Sequence, residues 1–127
     1  VTLKKPRSGP VFARASQMKT FRTLELAIEF GKLSSKVSFK GHLKDQLLRA
    51  SSSIALTLAE GNAKGSLKEK RNFFHMAYGS LRECQTIFQL MDLQDKELIS
   101  RADVLRACLY KLVNSELKNS PNWNKGR

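Results

Sequence analysis

The sequence predicts an all-α protein, an antiparallel up-down-up-down four-helix bundle, on three observations. Apolar residues recur every three or four positions in four separate stretches of roughly 17–25 residues, the period of an amphipathic helix rather than the alternation of a strand. Short links separate the stretches, and links that short make successive helices antiparallel neighbours. At 127 residues the chain suits one domain that can bury a core without disulfides or metal.

Residues 1–18 hold Lys4, Lys5, Arg7 and Arg14, two prolines and Gly9, with no acidic residue and no sustained period. They read as a disordered basic arm before a bundle at residues 19–118; Met18 offers an alternative natural start. The first helix is predicted from Thr20 as N-cap, with Phe21, Leu24, Ala27, Ile28 and Gly31 on its apolar face, to about Val37–Phe39. The second follows Gly41, buries Leu43, Leu47, Ala50, Ile54 and Leu58, and stops where Gly61 can take the left-handed cap conformation. Ser66 with Glu69 three residues on forms a capping box that opens the third helix. Its stripe is Phe73 or Phe74, Ala77, Leu81, Cys84, Phe88 and Met91. The fourth runs from about Asp95 to Leu117 on Leu98, Ala102, Leu105, Leu109 and Leu112, and residues 119–127, with Pro121 and Trp123, form an irregular polar tail.

Charge narrows the function classes. The formal net charge is +12, from 23 Lys+Arg against 11 Asp+Glu, an excess that self-repels unless a polyanion or an acidic partner shares it. Lys32, Lys36 and Lys40 recur at every fourth position along the first helix, and Lys64, Lys68, Lys70 and Arg71 cluster around the second link, opposed only by Glu69. A solvated surface is the ordinary reading of such lysines. With the basic arm added, they become candidate phosphate contacts, which need charge density more than exact geometry. Trp123 and Tyr110 are the obvious stacking aromatics, too few to predict base-specific reading. No apolar run approaches the roughly 20 residues that span a bilayer, and no signal-peptide core is present, so a cytoplasmic location is expected.

Catalytic chemistry finds little footing. Neither histidine completes a Glu-x-x-His motif, since Asn72 precedes His75 by three and Phe39 precedes His42 by three. Gly61-Asn62-Ala63-Lys64-Gly65-Ser66 imitates a phosphate loop in composition but follows no strand. Cys84 and Cys108 lie on helical apolar stripes rather than at metal spacing, and read as buried thiols. No catalytic residue, metal or cofactor is expected.

Two further clusters are structural candidates. Gly79-Ser80 interrupts the third helix, where glycine costs about 1 kcal/mol relative to alanine. Close approach to Ala50, Ser51 and Ser53 of the second helix, with hydroxyls bonding across, would offset that cost. Glu60 stands near a helix C-terminus, where the dipole disfavours an anion, so a cationic or hydroxyl partner is expected. Arg49 could pair with Glu83 or with a carboxylate of a neighbouring subunit.

These residues belong to two sequence signatures. Residues 46–61, Gln-Leu-Leu-Arg-Ala-Ser-Ser-Ser-Ile-Ala-Leu-Thr-Leu-Ala-Glu-Gly, and 77–83, Ala-Tyr-Gly-Ser-Leu-Arg-Glu, resemble the Arg-Ala-Ser-x-Ser-Ile…Ala-Glu-Gly and Gly-Ser-Leu-x-Glu signatures of the 23S rRNA intervening-sequence proteins. That four-helix-bundle family also contains the accessory variability determinants of diversity-generating retroelements. The resemblance runs from about Phe21 to Leu117. It implies a non-enzymatic homo-oligomer, a pentamer in relatives, that holds structured RNA or an RNA–reverse transcriptase complex. Exposed apolar residues such as Leu26, Leu33 and Leu56, lying off the main stripes, fit such assembly. The rival expectation is an adaptor whose partner is an acidic protein.

Overall fold

The computed structural model describes the backbone of residues 11–118 and the side chains of residues 20–114; the rest of the predicted arm and the predicted tail lie outside the described residues. Four helices follow in order: α1 (Val11–Ser35), α2 (His42–Asn62), α3 (Leu67–Met91) and α4 (Lys96–Lys118). Each packs on its sequence neighbours, and α1 also packs on α4, which closes a four-sided bundle. All neighbours are antiparallel. Ser53 meets Ser80 and Gly61 faces Phe73 across α2 and α3, while Tyr78 meets Tyr110 and Gln85 meets Asp103 across α3 and α4. Between α1 and α4, Glu29 pairs with Arg101, and Arg22 and Thr23 share a small cleft with Cys108 and Leu112.

The core is the predicted stripe on three helices, with the predicted Leu43 and Met91 only partly buried at its ends. Leu47, Ala50, Ile54 and Leu58 of α2, with Phe74, Ala77, Leu81, Cys84 and Phe88 of α3, are buried, as are all five predicted positions of α4. Phe74 rather than Phe73 takes the core position, and Ile87 joins it.

α1 departs from the expectation in start, face and end. It begins at Val11, so residues 11–18 continue the helix instead of forming an arm, and Thr20 is a buried interior residue rather than an N-cap. Ala13, Arg14, Gln17, Met18 and Lys19 are all good helix formers, and nothing after Pro10 breaks the run. Its buried face is Thr20, Thr23, Ala27, Phe30 and Ser34, at alternating spacings of three and four. Phe21 is left 59% exposed, and Ile28 is also outside. Hydroxyl residues at core positions hid this face from a reading of apolar periodicity, although the short Thr and Ser side chains fit a helical interior. Ser34 Oγ is buried without a hydrogen-bond partner. Leu26 and Leu33 pack against the edge of the core, whereas Leu56 is exposed as expected.

The helix ends are set by local chemistry. α1 stops at Ser35, and Gly41, at φ 105°, starts α2 from a backbone conformation that favours glycine. Ser66 Oγ accepts the Glu69 backbone N–H at 3.2 Å, so the predicted cap is present. Asp92, at φ 55° and ψ 45°, ends α3 in the left-handed conformation. Asp95 Oδ1 accepts the Leu98 N–H at 3.1 Å and caps α4.

Gly61 has a different duty from the one predicted. It lies inside α2, which runs on to Asn62 and is capped by Ala63 in a right-handed conformation. Gly61 is buried, and a Cβ there would stand 2.6 Å from Phe73 Cβ. The glycine therefore permits close approach of α3 rather than a turn. Gly79 is the reverse: it is exposed, and a Cβ would meet nothing within 4 Å. The close contact expected at Gly79 is made one residue later, where Ser80 Oγ and Ser53 Oγ lie 3.1 Å apart.

Candidate nucleic-acid interface

Antiparallel packing decides which cations share a surface. The Lys64–Arg71 cluster surrounds the α2–α3 turn, whereas Lys32, Lys36 and Lys40 lie at the other end of α2, a helix of 21 residues and therefore about 30 Å long. The two clusters do not form one patch. Nor do the three lysines stack on one helical face, because α1 stops at Ser35 and leaves Lys36 in a turn and Lys40 in the link.

The two poles differ in charge. In the half nearer the α2–α3 turn, Arg22, Lys64, Lys68, Lys70, Arg71 and Lys111 meet only Glu25, Glu60 and Glu69. In the other half, Lys32, Lys36, Lys40, Lys44, Arg49, Lys96 and Arg101 are nearly balanced by Glu29, Asp45, Asp92, Asp95, Glu97 and Asp103, while Arg82, Arg106 and Glu83 lie between the two halves. Val11 and Lys118 both lie at the α2–α3 pole. Residues 1–19 and 115–127 carry a further +5 and +2 of the total.

Part of the cluster also serves the fold. Lys64 Nζ sits 5.0 Å from the centre of the Phe73 ring, a cation–π contact. Lys70 Nζ donates to the Asn62 carbonyl at 3.1 Å, which places a cation at the C-terminus of α2 and offsets its dipole. Lys68 is exposed and Arg71 half-buried.

The candidate polar network shrinks to one cross-helix bond. Ser53 bonds to Ser80 and approaches Thr57 at 3.5 Å, while buried Ser51 donates back to the Leu48 carbonyl at 3.3 Å. Arg49 bonds to Gln46 on its own helix and does not pair with Glu83; Arg49, Glu60 and Glu83 are all exposed. In water the local partner one turn away costs less side-chain entropy than an ion pair across helices. Among the described residues the ion pairs are those of Arg101 with Glu29 and Glu97.

Cys84 and Cys108 are free thiols, Cys84 buried as expected and Cys108 only half-buried, on the α1–α4 side of the core. Burial, reinforced by the neighbouring Glu83 charge, pushes the Cys84 thiol up to about 12, so it stays protonated and unreactive at neutral pH. His75 and His42 are exposed. Among the described residues no group of three His, Cys, Asp or Glu side chains is placed to hold a metal ion.

A feature absent from the sequence reading runs between α3 and α4. Tyr78 and Tyr110 lie with ring centroids 6.5 Å apart. Next along the groove Arg82 and Arg106 border a cleft of about 410 Å³ floored by Phe88, Leu93 and Ile99. Arg82 donates to Gln85 at 3.0 Å, and Gln85 donates to Asp103 at 3.1 Å. The α3 half could have been read from spacing, since Arg71, Tyr78, Arg82 and Gln85 share one helical face; the α4 half required the register.

With this geometry in view, the family comparison is informative. A model of the 23S rRNA-intervening sequence protein family matches residues 13–114. The chain belongs to this family. The matched span of this intervening-sequence protein takes in all four helices, both signatures and the turn that carries the basic cluster. No curated protein sequence and no solved structure matches the chain. Among the described residues no helix is long and apolar enough to cross a membrane.

Proposed function

We propose that this intervening-sequence protein is a non-enzymatic RNA-binding scaffold of the cytoplasm, which holds structured RNA by its α2–α3 pole. The observation that carries the reading is the segregation of charge. The excess of cations among the described residues lies toward one end of the bundle, around the α2–α3 turn. A surface of this kind recognises the phosphate backbone by releasing condensed counterions, without reading sequence. The family name supports RNA over other polyanions.

Self-assembly belongs to the same reading. Leu56 is 69% and Met76 57% exposed, and both lie on the outer side of the α2–α3 seam, between the Ser53–Ser80 and Gly61–Phe73 contacts. Exposed Gly79 leaves open space beside them. Apolar side chains next to a small residue suit a second copy of the chain, with Arg49, Glu60 and Glu83 available as rim charges. A ring, of five copies by the resemblance, would repeat the basic pole and raise avidity. In the retroelement branch the RNA would be held together with a reverse transcriptase.

The test is RNA affinity as a function of salt. Lys68→Ala with Arg71→Ala should weaken binding evenly across RNA sequences and flatten the log–log salt dependence by about one unit per lost phosphate contact. The Lys32, Lys36 and Lys40 positions, at the balanced pole, should matter less. A chain that binds no RNA at low salt but captures an acidic protein would replace this reading with the adaptor. Light scattering that gives a monomer at micromolar concentration would remove the ring.

A further inference from the structure

We infer that the α3–α4 groove is a track for unpaired RNA, with a nucleotide-sized cleft at the end away from the basic pole. This rests on the RNA reading above and adds a second surface with a different ligand preference. The basic pole attracts any phosphate backbone; the groove selects strands whose bases are available for stacking.

The groove starts at the basic pole and runs up the bundle. On α3, Arg71, Tyr78, Arg82, Gln85 and Gln89 fall on one face and span about 27 Å of helix. On α4, Tyr110, Arg106, Asp103 and Ile99 answer them in antiparallel order, as the Tyr78–Tyr110 and Gln85–Asp103 contacts show. Cations and aromatics therefore alternate along it: Arg71 first, then the tyrosine pair, then Arg82 facing Arg106. Interleaving of this kind is the chemistry of single-strand recognition, in which guanidinium groups hold the backbone and rings carry successive bases.

Each part is available for that work. Tyr110 is 59% exposed, so its ring can accept a base without disturbing the core. Arg82 commits one donor to Gln85, and a guanidinium has five. Beyond the two arginines lies the cleft, of about 410 Å³ and open to solvent, with Phe88, Leu93 and Ile99 as an apolar floor. Gln89, Asp92 and Asp103 supply hydrogen-bonding groups at its sides. A nucleotide satisfies both ends of this gradient: its phosphate meets the arginine end, and its base covers the apolar floor and offers amino or imino hydrogens to the carboxylates. An RNA duplex satisfies neither, because its bases are paired and its bulk cannot enter a groove between adjacent helices. The two acidic residues also count against an acidic peptide, whose carboxylates would meet Asp92 and Asp103 after passing the arginines.

The test compares a fluorescein-labelled unstructured oligouridylate with a blunt RNA duplex of the same length, by anisotropy on the full chain. Arg82→Ala with Arg106→Ala should weaken oligouridylate binding about tenfold or more and leave duplex binding within about twofold. Tyr110→Leu should lose about tenfold on the oligouridylate alone, and Tyr110→Phe, which keeps the ring, should restore it. Tyr110 is exposed, so this pair decides the matter even if the arginine variant fails to fold. Equal losses on both RNAs, or a Tyr110→Leu variant that binds oligouridylate like the parent, overturn the track and leave the basic pole standing. Loss of all binding by the unmodified chain, duplex included, overturns the RNA reading itself, and displacement of oligouridylate by polyglutamate at matched ionic strength overturns the ligand class of the groove.

Discussion

The two sides of α3 form a contrast within one helix. Toward α2 the residues are small and the helices meet closely: Ser80 touches Ser53 at 3.1 Å, and Gly61 leaves no space even for a methyl group against Phe73. Toward α4 the residues are long, and Tyr78, Arg82, Tyr110 and Arg106 border a groove that widens into an open cleft. Signature residues reach both sides, Ser80 toward α2 and Tyr78 and Arg82 toward α4, and none of the long groove residues on α4 belongs to a signature. The lesson is that motif recognition reported α2 and α3 alone, while the α4 half of the surface with room for a ligand carries no motif.

Several measurements can break or sharpen that contrast. The core edge of α3 between the two sides should be the driest. The unfolded Cys84 thiol ionises near its ordinary value of 9.0, whereas the folded one is pushed up to about 12. The folded form therefore holds a proton that the unfolded form releases, and stability present below pH 9 falls by about 1.4 kcal/mol per pH unit across that window. Urea midpoints should accordingly drop less steeply above pH 9 for Cys84→Val than for the parent; identical slopes would mean that water reaches this edge. On the closed seam, Gly61→Ala should destabilise by about 1–3 kcal/mol through overpacking. A melting temperature equal to the parent's would show that the seam has slack and would erase the contrast.

Smaller effects test individual contacts. Ser80→Ala removes the one cross-helix hydroxyl bond of the seam and should cost about 1 kcal/mol; a double-mutant cycle with Ser53→Ala should show the two losses to be coupled. Gly79→Ala should move stability the other way, by about 0.5–1 kcal/mol, because the added methyl meets open space and the helix gains propensity. Two glycines in related signatures would then have opposite signs on substitution. A loss at Gly79→Ala in the assembled protein, with none in an isolated subunit, would locate a subunit contact there.

Much of the fold was legible residue by residue. The Ser66–Glu69 pair announced the start of α3, and the stripes of α2, α3 and α4 matched their buried faces, because capping and amphipathic period are local properties. α1 was misread where its core positions are Thr20, Thr23 and Ser34, whose hydroxyls broke the apolar rhythm while their size suited the interior. Gly79 was misplaced for a related reason: a glycine inside a helix signals that something special happens but not on which side.

The candidate site was legible only as a composition. Sequence alone determined an excess of twelve positive charges and a cluster at the second link, since charge and nearness along the chain are properties of the string. The tertiary structure decided that Lys32, Lys36 and Lys40 lie at the far pole from Lys64, that Arg49 turns away from Glu83, and that Tyr78 and Arg82 face Tyr110 and Arg106. Those outcomes depend on the direction and register of packed helices. Register is set by how the core side chains of four helices fill space together, and no local window of the chain contains that information.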